Sequence, residues 1–425
     1  MTGTVTVGPS LWRDRRFLRF WAGQTVSQFG DRVSELALPL IAVGVLHASA
    51  GQVALLTALV WLPNLAALLL GAWVDRRVGK RRLMVVADVV RAAVLLTLPV
   101  AYVLDAVTLG QLYAVALLTG VAAVVFNTAY SAVFAHLVPP SAYVDANSKL
   151  SASRSVSYVA GPAAGGGLVQ ALSAPVAVVA DVLSFLASAV LVGRVRVDEP
   201  AVVGGPRTSL LREAGAGLSF IVRHPVLRAS LGCATTVNFF TFLAGTGLLV
   251  LFADRVLELA PGVIGLAFGI GASGGFLGAV AAPAIARRIG VGPSIAVGSV
   301  LFPAPFALGA AADGSLVLRA GVLGGAYFLS AFGVMLFDIN LNSLQASVIP
   351  DGLRSRIAGA YSTVNYGIRP LGALTGGALA SLIGLRGTLV VAAVGGALCV
   401  LWLLPSPILR IRSLNGPTDT AYGQT

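Results

Sequence analysis

The feature that most constrains this chain is a succession of long apolar runs separated by short stretches of charge, glycine or proline. A bilayer's hydrocarbon core is about 30 Å thick, so a crossing helix needs roughly 20 apolar residues. Twelve runs meet that need: 18–46, 51–75, 83–104, 109–136, 146–171, 175–193, 225–253, 260–286, 291–311, 318–345, 355–383 and 388–408. Charged residues make up only 11% of the 425. A soluble domain carries about 25%, so water is not the solvent for most of this chain. The runs are unbroken rather than alternating, which argues against a β-barrel. The expectation is an all-α polytopic membrane protein with twelve transmembrane helices. Residues 1–17 are polar and basic, and the first run is too long for a cleavable signal core, so it is expected to serve as its own insertion signal. Cys233 and Cys399 both fall inside apolar runs and read as buried, reduced thiols.

A net charge of +12 invites a nucleic-acid reading, but the placement of the charge opposes it. Basic residues crowd alternate loops: Arg13, Arg15, Arg16 and Arg19; Arg76, Arg77, Lys80, Arg81 and Arg82; Lys149 and Arg154; Arg194 to Arg228; Arg287 and Arg288; Arg354 and Arg356; Arg410 and Arg412. The intervening loops hold only Arg255, Arg319 and Arg386. Positive loops stay in the cytoplasm, which places both termini there and requires an even number of spans. The basic excess then sets orientation and attracts anionic lipid.

The chain repeats itself. Arg76-Arg77 followed by Gly79 is echoed by Arg287-Arg288 followed by Gly290, Phe126-Asn127 by Phe337-Asp338, and Pro139 by Pro350, each displaced by 211 residues. The expected organisation is a six-helix bundle over 1–193, a cytoplasmic linker over 194–224 containing Gly204, Gly205 and Pro206, a second bundle over 225–409 and a cytoplasmic tail over 410–425. Two pseudo-symmetric six-helix halves in parallel orientation describe a transporter architecture with its site near the midplane.

Gly71, Asp75, Arg76, Gly79, Lys80, Arg81 and Arg82 resemble the signature loop between the second and third helices of the major facilitator superfamily, with one extra residue before Gly79. That departure is similar to the drug- and siderophore-exporter branch, which contains enterobactin and macrolide exporters. Asp88 with Arg91, and Gly161-Pro162 in the fifth span, extend the resemblance across nearly the whole chain. It implies the MFS fold, a monomer, and a cytoplasmic gate latch in which Asp75 faces the start of the eleventh span near Arg354. It also implies, through Gly161, Pro162, Gly165 and Gly166, an antiporter-like motif. Read physically, the same small residues permit close helix approach, and a mid-helix proline permits a bend.

Charges inside a span cost about 2.5–3.5 kcal/mol each on insertion scales and need a reason. Asp31, Arg32 and Glu35 share the first span; Asp31 and Glu35 are four residues apart, on one helical face. Asp31 and then Glu35 are the leading proton-site candidates, against a self-neutralised structural trio. Asp88 and Asp338 are further candidates. Asp88 and Arg91 read as a local ion pair, Asp181 as a lone carboxylate with a cross-helix partner, and Asp338 with Arg369 as a pair in the second half. Gln24, Asn64, Asn127, Tyr130, Asn238, Asn340, Tyr361, Asn365 and Arg369 are candidate cavity residues, together suggesting an amphiphilic pocket with few fixed charges.

No phosphate-binding loop of the form G-x-x-x-x-G-K-[ST] occurs, which excludes ATP-driven transport by this chain alone. Gly269, Gly271 and Gly274 match G-x-G-x-x-G inside an apolar run and read as helix packing. His47, His136 and His224 are too scattered for a metal site, and no cofactor or hydrolase constellation is found. The expected activity is proton-coupled efflux of a hydrophobic or amphiphilic small molecule, such as an antibiotic or siderophore, across a bacterial inner membrane. Nutrient uptake, a non-transporting receptor and a membrane hydrolase are the rivals.

Overall fold

The computed structural model describes residues 11–197, 210–350 and 353–413, and every regular element among them is helical. The first half comprises α1 (Arg15–Leu40), α2 (Ala50–Trp61), α3 (Ala67–Asp75), α4 (Lys80–Val103), α5 (Leu109–Leu137), α6 (Tyr143–Leu172) and α7 (Ala174–Gly193). After α8 (Leu210–Arg223) the second half holds α9 (Pro225–Ala244), α10 (Thr246–Arg255), α11 (Pro261–Ile289), α12 (Val291–Leu301), α13 (Pro305–Ala310), α14 (Leu316–Val348), α15 (Arg354–Gly367) and α16 (Arg369–Ala397).

Among the described residues, eight stretches are long and apolar enough to cross a bilayer: Lys80–Val103, Leu109–Leu137, Ala174–Gly193, Pro225–Arg255, Pro261–Ile289, Val291–Ala310, Leu316–Val348 and Ile357–Trp402. The last is folded back at Gly384, whose φ of 76° breaks the helix. α1 and α6 are long enough but carry charged residues, of which Arg32 and Glu35 on α1 line the site described below.

Several runs that read as single spans are broken rods. α2 and α3 are separated by a 3-10 turn over Leu62–Ala66 that contains Pro63, which lacks the N–H the helical ladder needs. Gly245 divides α9 from α10. α15 stops at Gly367, two residues before α16 opens with Arg369 and Pro370. The expected linker over 194–224 is not a plain loop. Gly204, Gly205 and Pro206 lie outside the described residues, but residues from Leu210 onward form amphipathic α8, and Ile221 on its apolar face packs against Ile357 and Ala360 of α15.

The buried core reveals how the halves meet. At the arginine-poor end one continuous core joins Val33 to Val43 of the first half with Leu248 to Phe252, Ile264 and Leu389 of the second. At the arginine-rich end the cores are separate. One, around Phe17, Phe20, Met84 and Phe126, belongs to the first half; others, around Cys233, Ile295 and Leu344 and around Ile221, belong to the second half and α8. The halves thus share a core at one end and keep separate cores at the other, where α3 still touches α15 and α8. Cys233 and Cys399 are free and buried in the second of these cores.

Glycines make the fused end possible. α6 meets α11 where a Cβ on Gly265 would lie 2.4 Å from the Pro162 carbonyl oxygen, and one on Gly166 would lie 2.8 Å from the Gly265 Cα. Gly271 lies against Tyr327, and a Cβ on Gly274 would sit 2.1 Å from the Phe328 carbonyl, so G-x-G-x-x-G is a packing surface.

The three arginines of the sparse loops are all engaged with backbone carbonyls. Arg255 donates to Ala48 at 2.8 Å, crossing between halves; Arg319 donates to Leu257 at 2.8 Å; Arg386 donates to Ala310 and, at 2.9 Å, to Ala312. At the rich end, Arg19 and Arg81 likewise bind carbonyls at the end of α7. These orphan carbonyls at helix C-termini attract cations.

Gly79 begins α4 at φ 84° in the left-handed region. Gly79→Ala is expected to destabilise the protein by about 1–2 kcal/mol through backbone strain alone. Gly79→Asn should cost less, because asparagine tolerates this region. Thermal unfolding in detergent distinguishes them, and equal midpoints for the two variants would refute the backbone argument.

Candidate functional site

Where the halves meet, their side chains leave a small cavity of about 30 Å³. Arg32, Glu35, Tyr158 and Pro162 line it from the first half, and Phe268 and Tyr327 from the second. Arg32 reaches it because Gly161 leaves no side chain in the way; a Cβ there would lie 2.5 Å from that of Arg32. The Arg32 guanidinium pairs with Glu35 one turn along α1 and lies 4.3 Å from the Tyr158 ring centre. Gly165 brings α6 against the backbone of Val33. The Gly-Pro segment therefore seats α6 between α1 and α11, and α6 continues unbroken through Pro162.

The first-span trio divides between two environments. Glu35 joins Arg32 at the cavity, while Asp31 is half-buried within electrostatic range of Arg32, Asp88 and Asp181. Asp181 on α7 is buried and accepts hydrogen bonds from Ser34 of α1 and, at 2.9 Å, from Ser184 on its own helix. It thereby finds the cross-helix partner expected of it. Asp88 is fully buried, and among the described residues neither of its oxygens finds a hydrogen-bond donor. Arg91 approaches it to 4.0 Å while lying over the rings of Phe126 and Phe185.

The second half presents a different construction. Arg369 does not form an ion pair with Asp338; the two are within electrostatic range, but Arg369 Nε instead donates to Asn238 Oδ1 at 2.9 Å. Asn238 Nδ2 in turn donates to Asn365 Oδ1 at 3.0 Å. The guanidinium carbon lies 4.3 Å from the ring centre of Trp61, 4.3 Å from Tyr366 and 4.8 Å from Phe242. Trp61 belongs to α2, so the cage is assembled from both halves. The cavity itself carries two charged side chains, Arg32 and Glu35, within an otherwise apolar and aromatic lining, and Arg369 is not among the residues that line it.

The other polar candidates scatter. Asn238, Asn365 and Arg369 form one network. Gln24 is buried, its Nε2 without a hydrogen-bond partner, and Tyr130 stacks on Phe20 at 5.2 Å, inside the first bundle. Asn64 and Asn340 donate to carbonyls one turn back on their own segments. Tyr361 pins α15 to α9 through the Ser230 carbonyl, and Asn127 is exposed. In the expected gate, Arg77 lies over Trp73, and α3 reaches α15 and α8. The side chains of Asp75 and Arg354 lie outside the described set. Trp61, Tyr158, Phe242, Tyr327 and Tyr366 were not foreseen. Tyr366 stands three residues before Arg369, one helical turn away, which was the available signal.

Two helical bundles fused at one end, with a polar and aromatic cavity at their junction, define a membrane transporter. The chain belongs to the Major Facilitator Superfamily, whose profile matches residues 20–373. It is 26% identical over 387 residues to YfiS of Bacillus subtilis (strain 168), an uncharacterized MFS-type transporter, covering 88% of this chain and 89% of that one. It is 27% identical over 344 residues to the multidrug efflux pump Tap of Mycolicibacterium fortuitum, covering 76% and 79%. The fold is similar to that of the nucleoside transporter NupG, with a TM-score of 0.70 at 12% identity over 92% of this chain and 99% of that one. It is equally similar to a bacterial homologue of the iron transporter ferroportin in its inward-facing state, with a TM-score of 0.70 at 17% identity over 92% and 98%.

Proposed function

We propose that this chain crosses a bacterial inner membrane twelve times, with both termini cytoplasmic, and exports an amphiphilic small molecule in exchange for protons. Residues 1–193 and 225–409 are then the two rocking bundles, 194–224 the linker and 410–425 the tail, in a protein that works as a monomer. The arginine-rich end is then the cytoplasmic one. Kinship to a multidrug efflux pump supports export, as does the Gly-Pro segment of α6.

The observation that carries the coupling is the set of carboxylates inside the first bundle, Asp31 with Asp88 and Asp181, adjoining a cavity arginine. Asp31 precedes Arg32 in sequence. A proton arriving at Asp31 changes the field on Arg32, and with it the Arg32–Glu35 pair that lines the cavity. Inward movement of one proton supplies about 2.3 kcal/mol per 100 mV. Asp338 is the corresponding candidate in the second half.

The test is substrate-dependent proton flux in proteoliposomes under a pH gradient, with a panel of hydrophobic antibiotics and siderophores. Asp31→Asn is expected to reduce coupled proton flux at least tenfold, in the range of a functional carboxylate's contribution of about 1.4 kcal/mol or more. Substrate movement without proton movement in the wild type would overturn the antiport reading. Coupled flux that survives in Asp31→Asn would move the proton site to Asp181, Asp88, Glu35 or Asp338.

A further inference from the structure

We propose that the Arg369 cage is a recognition site for an aromatic organic anion, such as a carboxylate carried on a planar ring system. The proposal rests on the transporter reading and deepens it by naming the class of substrate.

Arg369 is held unusually. Among the described residues, its only hydrogen bond is from Nε to Asn238 Oδ1, at 2.9 Å. Asn238 is itself fixed by donating to Asn365 Oδ1 and, at 2.9 Å, to the Ala234 carbonyl. The guanidinium is thus anchored by its stem side while Nη1 and Nη2 make no hydrogen bond to any described residue. No carboxylate of a described residue comes within 4.0 Å of it. A half-buried cation without a counter-ion is costly in a membrane. Cation–π contact with Trp61, Tyr366 and Phe242 offsets part of that cost but leaves the outward N–H groups unfilled.

Those groups form a planar fork whose geometry matches a carboxylate or a similar oxyanion. The rings around the fork have accessible surface: Tyr366 is 39% exposed, and Trp61 is half-buried. Trp61 and Phe242 meet edge to face at 5.3 Å, so a flat ligand can lie along one and abut the other. A ligand with an anionic head on the fork and an aromatic body on these rings satisfies both surfaces at once. It also touches both halves, because Trp61 comes from α2 and the rest of the cage from the second half. A ligand that bridges the halves shifts the balance between their arrangements.

Asp338 supplies a second, independent expectation. It lies within electrostatic range of Arg369 without pairing, so it opposes an incoming anion and favours a cation. Removing its charge should therefore strengthen anion binding, an effect that damage to the fold cannot mimic.

The experiment is calorimetric titration of the full chain in nanodiscs with three probes of equal shape: 2-naphthoate, 2-naphthylmethanol and 2-naphthylmethylammonium. The expected order is naphthoate tightest and the ammonium weakest. Arg369→Lys, which keeps the charge and loses the fork, should weaken naphthoate about tenfold, and Arg369→Gln further, in line with a charged hydrogen bond. Asp338→Asn should tighten naphthoate several-fold. Tighter binding of the ammonium or the alcohol, or an unchanged naphthoate affinity in Asp338→Asn, would overturn the anion assignment while leaving transport of other compounds intact. Absence of naphthoate binding in folded protein that still shows substrate-dependent proton flux would overturn the cage assignment and leave the transport reading standing. Repeating the titration in phosphatidylcholine and in phosphatidylglycerol separates the two sources of anion. Equal affinity supports a small-molecule ligand, and loss of naphthoate binding in phosphatidylglycerol alone assigns the fork to a lipid headgroup.

Discussion

Gly265→Leu is expected to abolish most transport while leaving each bundle folded. The glycine is buried where α11 crosses α6, and a Cβ there would lie 2.4 Å from the Pro162 carbonyl and 2.7 Å from the Gly166 Cα. These are backbone atoms, so no rotamer change relieves the clash and the helices must separate. Each half keeps a core of its own at the arginine-rich end, so the strain falls on the junction. Overpacking of about 1–3 kcal/mol displaces the equilibrium between two arrangements about 5- to 150-fold. Gly167→Leu is the control, since a Cβ at Gly167 meets nothing within 4 Å. Substrate flux, with distances between spin labels across the arginine-poor end, reads the result. Wild-type flux in Gly265→Leu would show that the halves do not depend on this contact.

Gly30→Ala is expected to lower stability by about 2–4 kcal/mol, combining overpacking with loss of a buried hydrogen bond. Its Cβ would fall 2.0 Å from Ser184 Oγ, 2.3 Å from Asp181 Oδ1 and 2.7 Å from Ser184 Cβ. The hydroxyl and carboxylate are already committed to each other, so α1 must lift from α7 and Ser34 must release Asp181. The detergent-induced unfolding midpoint measures the loss. Gly110→Ala, with nothing within 4 Å of the new methyl, should match or exceed the wild type. If both variants unfold alike, the packing of α1 on α7 is looser than described.

The sequence disclosed the large features because the bilayer leaves few solutions. A run of apolar residues in lipid satisfies its backbone only as a helix, so α4, α5 and α14 could be read from length and hydropathy. The breaks at Pro63, Gly245 and Pro370 were less legible, because an apolar run continues across each of them. Asp181 and Asp88 were visible as charges that needed a reason, but whether a carboxylate finds a serine, an arginine or no hydrogen bond is a three-dimensional fact. The Arg369 cage was the least legible feature. Its rings come from positions 61, 242 and 366, each ordinary in an apolar run, and only the meeting of the two halves gives them a shared purpose. The expected Asp338–Arg369 pair failed because Asn238 captured the guanidinium first.

The fold-back at Gly384 has a consequence for how the protein is made. Two long apolar rods, α15 with the first part of α16 and the remainder to Trp402, are joined by a single residue in the left-handed region, and Arg386 just beyond it clasps the end of α13. A connection that short leaves no hydrophilic segment to be carried across the membrane on its own. The two rods are therefore expected to enter the bilayer together, as one hairpin, so that the order in which they are synthesised need not be the order in which they settle.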